Sequence, residues 1–148
     1  MEIDPDLDYH QHPERYPIGH GERGVLTIEP YKSELLPLWR FKTPDIAEQS
    51  AADLLQRYAD YKAHDDFVGM DMTRKFIQMG YTRSRRYARH RGGRKYDPET
   101  GEERPLKEED PVKAASAQIF QQALQKIKND PDYQRFKKRH QQRQQAQR

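Results

Sequence analysis

Arg83, Arg85, Arg86 and Arg89 follow one another closely, with Arg91, Arg94 and Lys95 just beyond and Tyr81, Tyr87 and Tyr96 interleaved among them. A guanidinium is a planar fork that grips two phosphate oxygens at once and stacks on bases, which an ammonium does poorly. Aromatic rings beside such groups offer faces on which unpaired bases stack. No acidic side chain lies between Asp71 and Asp97, whereas seven Arg and two Lys do. On a helix turning about 100° per residue, Arg85, Arg89, Arg86, His90 and Arg83 fall within an arc of roughly 160°. Ser84, Tyr87, Ala88 and Arg91 take the other arc. Like charges this close repel by tenths of a kcal/mol per pair, so the stripe calls for a counter-charge. Gly92-Gly93 ends the segment and could open backbone N–H groups toward a phosphate ahead of Arg94 and Lys95.

Three counter-charges fit. The leading expectation is nucleic acid, DNA or RNA, bound without chemistry and without a cofactor. Arg83, Arg85, Arg86, Arg89, Arg94 and Lys95 would contact phosphates, and Tyr87 or Tyr96 would stack. The second is a phosphate-handling enzyme or a binder of a nucleotide-like ligand, with the arginines converging beside Asp65, Asp66 or Asp71. The third is a protein–protein interaction domain whose basic face meets an acidic partner. Beside these stands the plain alternative that the chain neutralises itself, with Glu48, Asp53, Asp60, Asp65 and Asp66 as candidate partners. Lys137, Lys138 and Arg139 could add a weaker anion contact.

Charge distribution sharpens the question. The net charge of +3 hides a partition. Residues 1–71 hold 7 basic and 15 acidic side chains, and residues 72–148 hold 20 and 9. The basic half either folds against the acidic half or presents a polyanion surface.

Other chemistry finds little support. The chain has no cysteine, which excludes disulfides and thiol catalysis and suits a reducing compartment. His10, His12 and His20 with Asp4, Asp6 and Asp8 match no metal-ligand spacing. Asp71 suits the first turn of a helix, where the dipole favours an acid. GHGERG precedes an expected strand instead of linking strand to helix, so it is not a phosphate loop. No apolar run approaches the roughly 20 residues that cross a bilayer. The expectation is a soluble, cytoplasmic protein without a membrane partner.

The elements that must position these residues follow from periodicity and punctuation. Residues 1–20 suggest an irregular N-terminal arm, residues 21–139 a single domain, and residues 140–148 a Gln/Arg-rich disordered tail. Val25–Glu29 and Trp39–Phe41 alternate as short strands do. Thr43-Pro44 opens a helix with Ile46, Ser50, Ala51, Leu54, Leu55, Tyr58 and Tyr61 on one face. Met72, Phe76 and Met79 mark a short helix closed by Gly80, and Thr82 starts another that carries the arginines. Asp110-Pro111 opens a further helix with Val112, Ala115, Ile119, Phe120, Ala123, Leu124 and Ile127 inward, and Asp130-Pro131 opens the last. The fold class expected is mainly α with a small N-terminal β element (α+β), a compact single-domain helical protein. With 33% hydrophobic and 34% charged residues, its core is thin.

The blocks GERGVLTIEPYKSELLPLWRFKTP, DDFVGMDMTRKFIQMGYTRSRRYARHRGGRKYD and DPVKAASAQIF resemble the signature blocks of an uncharacterised small-protein family, domain of unknown function 4385. The likeness covers roughly residues 15 to 137. It implies a compact domain of this length and transfers no catalytic residue.

Overall fold

The computed structural model describes residues 2–19, 21–89 and 110–146. Among these residues five α-helices follow in order: α1 (Tyr31–Leu35), α2 (Pro44–Ala63), α3 (Phe67–Arg89), α4 (Pro111–Lys128) and α5 (Pro131–Ala146). α3 packs on both α2 and α4, which also touch each other, while α5 and the N-terminal segment close the remaining side of α3.

The capped starts form where Pro follows a side-chain acceptor. Thr43 Oγ1 accepts from the Ile46 amide at 3.3 Å, and Asp110 Oδ1 accepts from the amides of Val112 and Lys113 at 2.9 and 3.3 Å. Asp130 Oδ1 does the same for Asp132 at 2.9 Å. Each acceptor satisfies amides that the helix itself leaves orphaned. The expected apolar faces of α2 and α4 point inward, except that Ile46 and Val112 are 38% and 45% exposed.

The β element does not exist: among the described residues there is no strand, only an isolated bridge between Asp8 and Glu29. Val25–Glu29 is a turn. Gly24, at φ +83°, starts it, and its carbonyl accepts from Thr27 and Ile28, both at 3.0 Å. Val25 and Ile28 are buried while Leu26 is exposed, so the apolar run reads as i, i+3 and not as alternation. Trp39–Phe41 has no partner strand either. Ser50 of α2 takes that role, donating to the Leu38 carbonyl at 2.6 Å and accepting from the Arg40 amide at 3.0 Å.

Two further expectations change. Gly80 does not end a helix; α3 runs through it for 23 residues. A Cβ there would lie 2.9 Å from the Phe120 ring, so the glycine serves close approach of α3 and α4. The Gln-rich tail is helical to Ala146, because Gln144 donates to the carbonyls of Glu14 and Tyr16 at 3.2 and 2.6 Å. The N-terminal arm is irregular but packed, with Tyr9 and Tyr16 fully buried.

α3 is two helices in one. Every residue from Phe67 to Ile77 is buried, whereas beyond Gly80 only Ser84 and Ala88 are. The first half is surrounded on all sides, and the second is a surface helix backed by α4.

Gly69 tests that packing. A Cβ at this position would stand 2.3 Å from Cγ of Tyr61. Gly69→Ala gains at most about 1 kcal/mol of helix propensity against an overpacking cost of about 1–3 kcal/mol. The expected outcome is a net loss, read as a lower urea midpoint with unchanged slope.

Candidate nucleic-acid interface

Nine cations stand between Asp71 and Asp97 in sequence, and the fold splits them. Arg74 and Lys75, in the enclosed half of α3, are only 3% and 1% exposed. Arg74 donates through Nε to Asp71 Oδ1 at 3.0 Å and through one terminal nitrogen to Asp71 Oδ2 at 3.2 Å. Its remaining donors reach the carbonyls of Gly21 (2.7 Å) and Gly19 (2.8 Å) and the side chain of Gln78 (3.0 Å). A guanidinium has five donors, and all five are engaged. Tyr16 and Tyr133 donate their hydroxyls to Asp71 at 2.5 and 2.6 Å. Burial, reinforced by Asp71, raises the pKa of both tyrosines. Burial alone would lower Arg74, but Asp71 and the two tyrosines outweigh it and its pKa rises.

Lys75 is the least satisfied member. Its ammonium donates to the Arg23 carbonyl at 2.7 Å and lies 4.5 Å from the centroid of the Tyr16 ring. Burial pushes its pKa down to about 8, with Asp71 opposing and Arg74 and Arg23 adding to the fall. This centre was missed in the sequence, where Asp71 fits a helix dipole and the two cations count toward the basic surface. The i, i+3 spacing of Asp71 and Arg74 was the available signal. Its role is structural, since no donor of Arg74 remains for a substrate. The enzyme alternative thereby loses Asp71. Asp65 pairs with Arg139, and Asp66 accepts from Tyr31 and the Gly69 amide.

The outer half of α3 is different. Arg83, Arg85, Arg86 and Arg89 are all exposed. Among the described residues none of the four meets a carboxylate. Two of them have aromatic contacts: Arg83 lies over Trp39 at 5.4 Å, and Arg85 lies over Tyr81 and donates to its hydroxyl. The acids expected as internal partners are occupied elsewhere or stand apart. Asp53 accepts from Gln49 and Asp60 from Gln56. Glu22 accepts from Thr82 at 2.8 Å.

Ser84 and Ala88 face α4 as the wheel requires, and Tyr87 stands at the edge of the stripe, 39% exposed. Arg94, Lys95 and Tyr96 lie outside the described residues, as do His90, Arg91 and the glycine pair. Arg139, expected as part of a second anion contact, is held by Asp65. Among the described residues no group of three or more His, Asp or Glu could hold a metal. Asp4 and Asp8 instead accept from nearby amides in the N-terminal turns.

Fold and site together define a small helical protein with an enclosed charged centre and an outward arginine face. No described helix is long and apolar enough to cross a membrane. The chain belongs to the family described as Domain of unknown function (DUF4385), whose model matches residues 2–143. No curated protein and no solved structure matches it.

Two substitutions test the enclosed centre. Asp71→Asn leaves the Arg74 charge buried without its counter-ion and should cost about 3–5 kcal/mol in urea unfolding. Lys75→Met tests the lowered ammonium. The unfolded lysine binds its proton more tightly than the folded one, so wild-type stability rises with pH between about 8 and 10.5. Relative to the Met variant, the wild type should gain about 2 kcal/mol from pH 7 to pH 9.5. Parallel pH profiles would show that Lys75 is not held in this way.

Proposed function

We propose that the protein binds nucleic acid through the outer half of α3 and performs no chemistry on it. The observation that carries this reading is the set of four exposed guanidiniums with no carboxylate beside them among the described residues. Several other surface cations are paired, Arg57 with Glu34, Lys62 with Asp130 and Asp132, and Arg135 with Asp132. Paired cations have spent their field locally, and unpaired ones project it.

The geometry suits a polyanion better than a small ligand. Arg83 and Arg89 are separated by about 9 Å along the helix axis. Duplex DNA presents one charge per roughly 1.7 Å, so about five charges pass along that length. The side chains do not converge on one point: Arg83 stands on the Trp39 flank, whereas Arg85 and Arg89 border a shallow concavity against α4. Such contacts position a backbone and carry no base preference.

The test is a salt titration of the full chain against labelled duplex DNA, single-stranded DNA and RNA of equal length. With four phosphates neutralised, log K on duplex falls against log salt with a slope of roughly −3.6. The double variant Arg85→Ala, Arg86→Ala should flatten that slope by about 1.8. An affinity that stays constant from low to moderate salt overturns the proposal.

A further inference from the structure

We infer that a cleft beside the arginine face receives an unpaired base, so that the protein prefers single strands to duplex. The inference rests on the nucleic-acid reading above and adds to it the form of the strand.

The cleft has a volume of about 470 Å³ and is lined by Arg40, Phe41, Lys42, Ile46, Tyr87 and Lys113. That size lies within the range of sites for small organic groups. Its walls are apolar and its rim cationic, and no carboxylate lines it among the described residues. Three segments far apart in sequence build it: the stretch that leads into the first turn of α2, the last turns of α3 and the first turn of α4. Lys113 donates to the Lys42 carbonyl at 2.9 Å and so ties the last of these to the first.

The aromatic walls are fixed in place. Phe41 meets Trp39 edge-on at 4.9 Å and Phe120 edge-on at 6.4 Å. Tyr87 faces Phe41 with ring centres 6.3 Å apart and planes inclined by only 31°. Ile46 and Tyr87 remain 38% and 39% exposed, apolar surface that the chain itself does not cover.

Charge selects the occupant. An apolar wall alone would suit many ligands, but three cations on the rim call for an anion joined to a flat, stackable body. A nucleotide has that composition. The cleft is also continuous with the phosphate-binding face, because Arg83 lies over Trp39, whose ring packs on Phe41. A strand whose phosphates rest on Arg83 can turn a base toward Tyr87. Bases in a duplex are stacked on each other and cannot enter, whereas those of a single strand are free to do so.

The experiment measures equilibrium binding of the full chain to three probes of equal length: oligothymidylate, an abasic strand with the same phosphates, and a duplex. Base stacking on an aromatic wall predicts that oligothymidylate binds about tenfold more tightly than the abasic strand. In Tyr87→Ala, with helix content checked by circular dichroism, that ratio should fall to about one. Equal binding of the thymidine and abasic strands by the wild-type protein overturns the inference and leaves the arginine face standing. A ratio that survives in Tyr87→Ala also overturns it, since the base would then sit elsewhere. Salt-independent binding or no binding of any probe would instead remove the nucleic-acid reading itself.

Discussion

The carboxylate of Asp71 joins three parts of the chain that no backbone ladder connects. It belongs to α3, accepts from Tyr16 of the N-terminal segment and from Tyr133 of α5, and pairs with Arg74 one helical turn on. Arg74 in turn gathers the carbonyls of Gly19 and Gly21. Burying two charges is costly, and the cost is offset only when each remaining lone pair and proton finds a partner. Here the partners come from distant segments, so satisfying the centre and fixing the path of the irregular N-terminus are one event. His140 and Gln144 extend the arrangement by bonding to the Tyr16 carbonyl, which ties the end of α5 to the same point.

This constraint explains how one helix carries two kinds of cation. The half of α3 enclosed by α2, α4, α5 and the N-terminal segment can hold Arg74 and Lys75 only by internal bonds. The half beyond Gly80 packs on α4 and touches the stretch before α2, with Arg83 over Trp39 and Tyr87 facing Phe41. Among the described residues its arginines are exposed and meet no carboxylate. The acidic N-terminal half of the sequence does not quench this face. Its carboxylates accept from backbone amides and from tyrosines and pair with other cations.

Much of the helical frame was legible because its signals are local. Thr43-Pro44, Asp110-Pro111 and Asp130-Pro131 each place an acceptor ahead of a residue that cannot donate, and each starts a helix. The errors arose where a local pattern was ambiguous or a distant contact decided. Val25–Ile28 carries too few apolar residues to separate period two from i, i+3. Gly80 resembles a helix end until Phe120 is seen against it. Gln141 to Ala146 has no apolar period, yet a helix forms because α5 is anchored by Tyr133, Phe136 and His140.

Residue types and spacing alone placed the starts of α2, α4 and α5, the apolar faces of α2 and α4, and the arginines of outer α3 on one stripe. These depend on neighbours within a few residues, and the chemistry of capping and the 3.6-residue period suffices for them. The packing of distant segments settled which cations are enclosed with a carboxylate and, among the described residues, which lie exposed without one. Arg74 and Arg86 are the same residue type on the same helix, and what separates them is the company that folding brings to each. Charge is read by its surroundings, and surroundings built from residues 16, 41, 113 and 133 are not a local property of the chain.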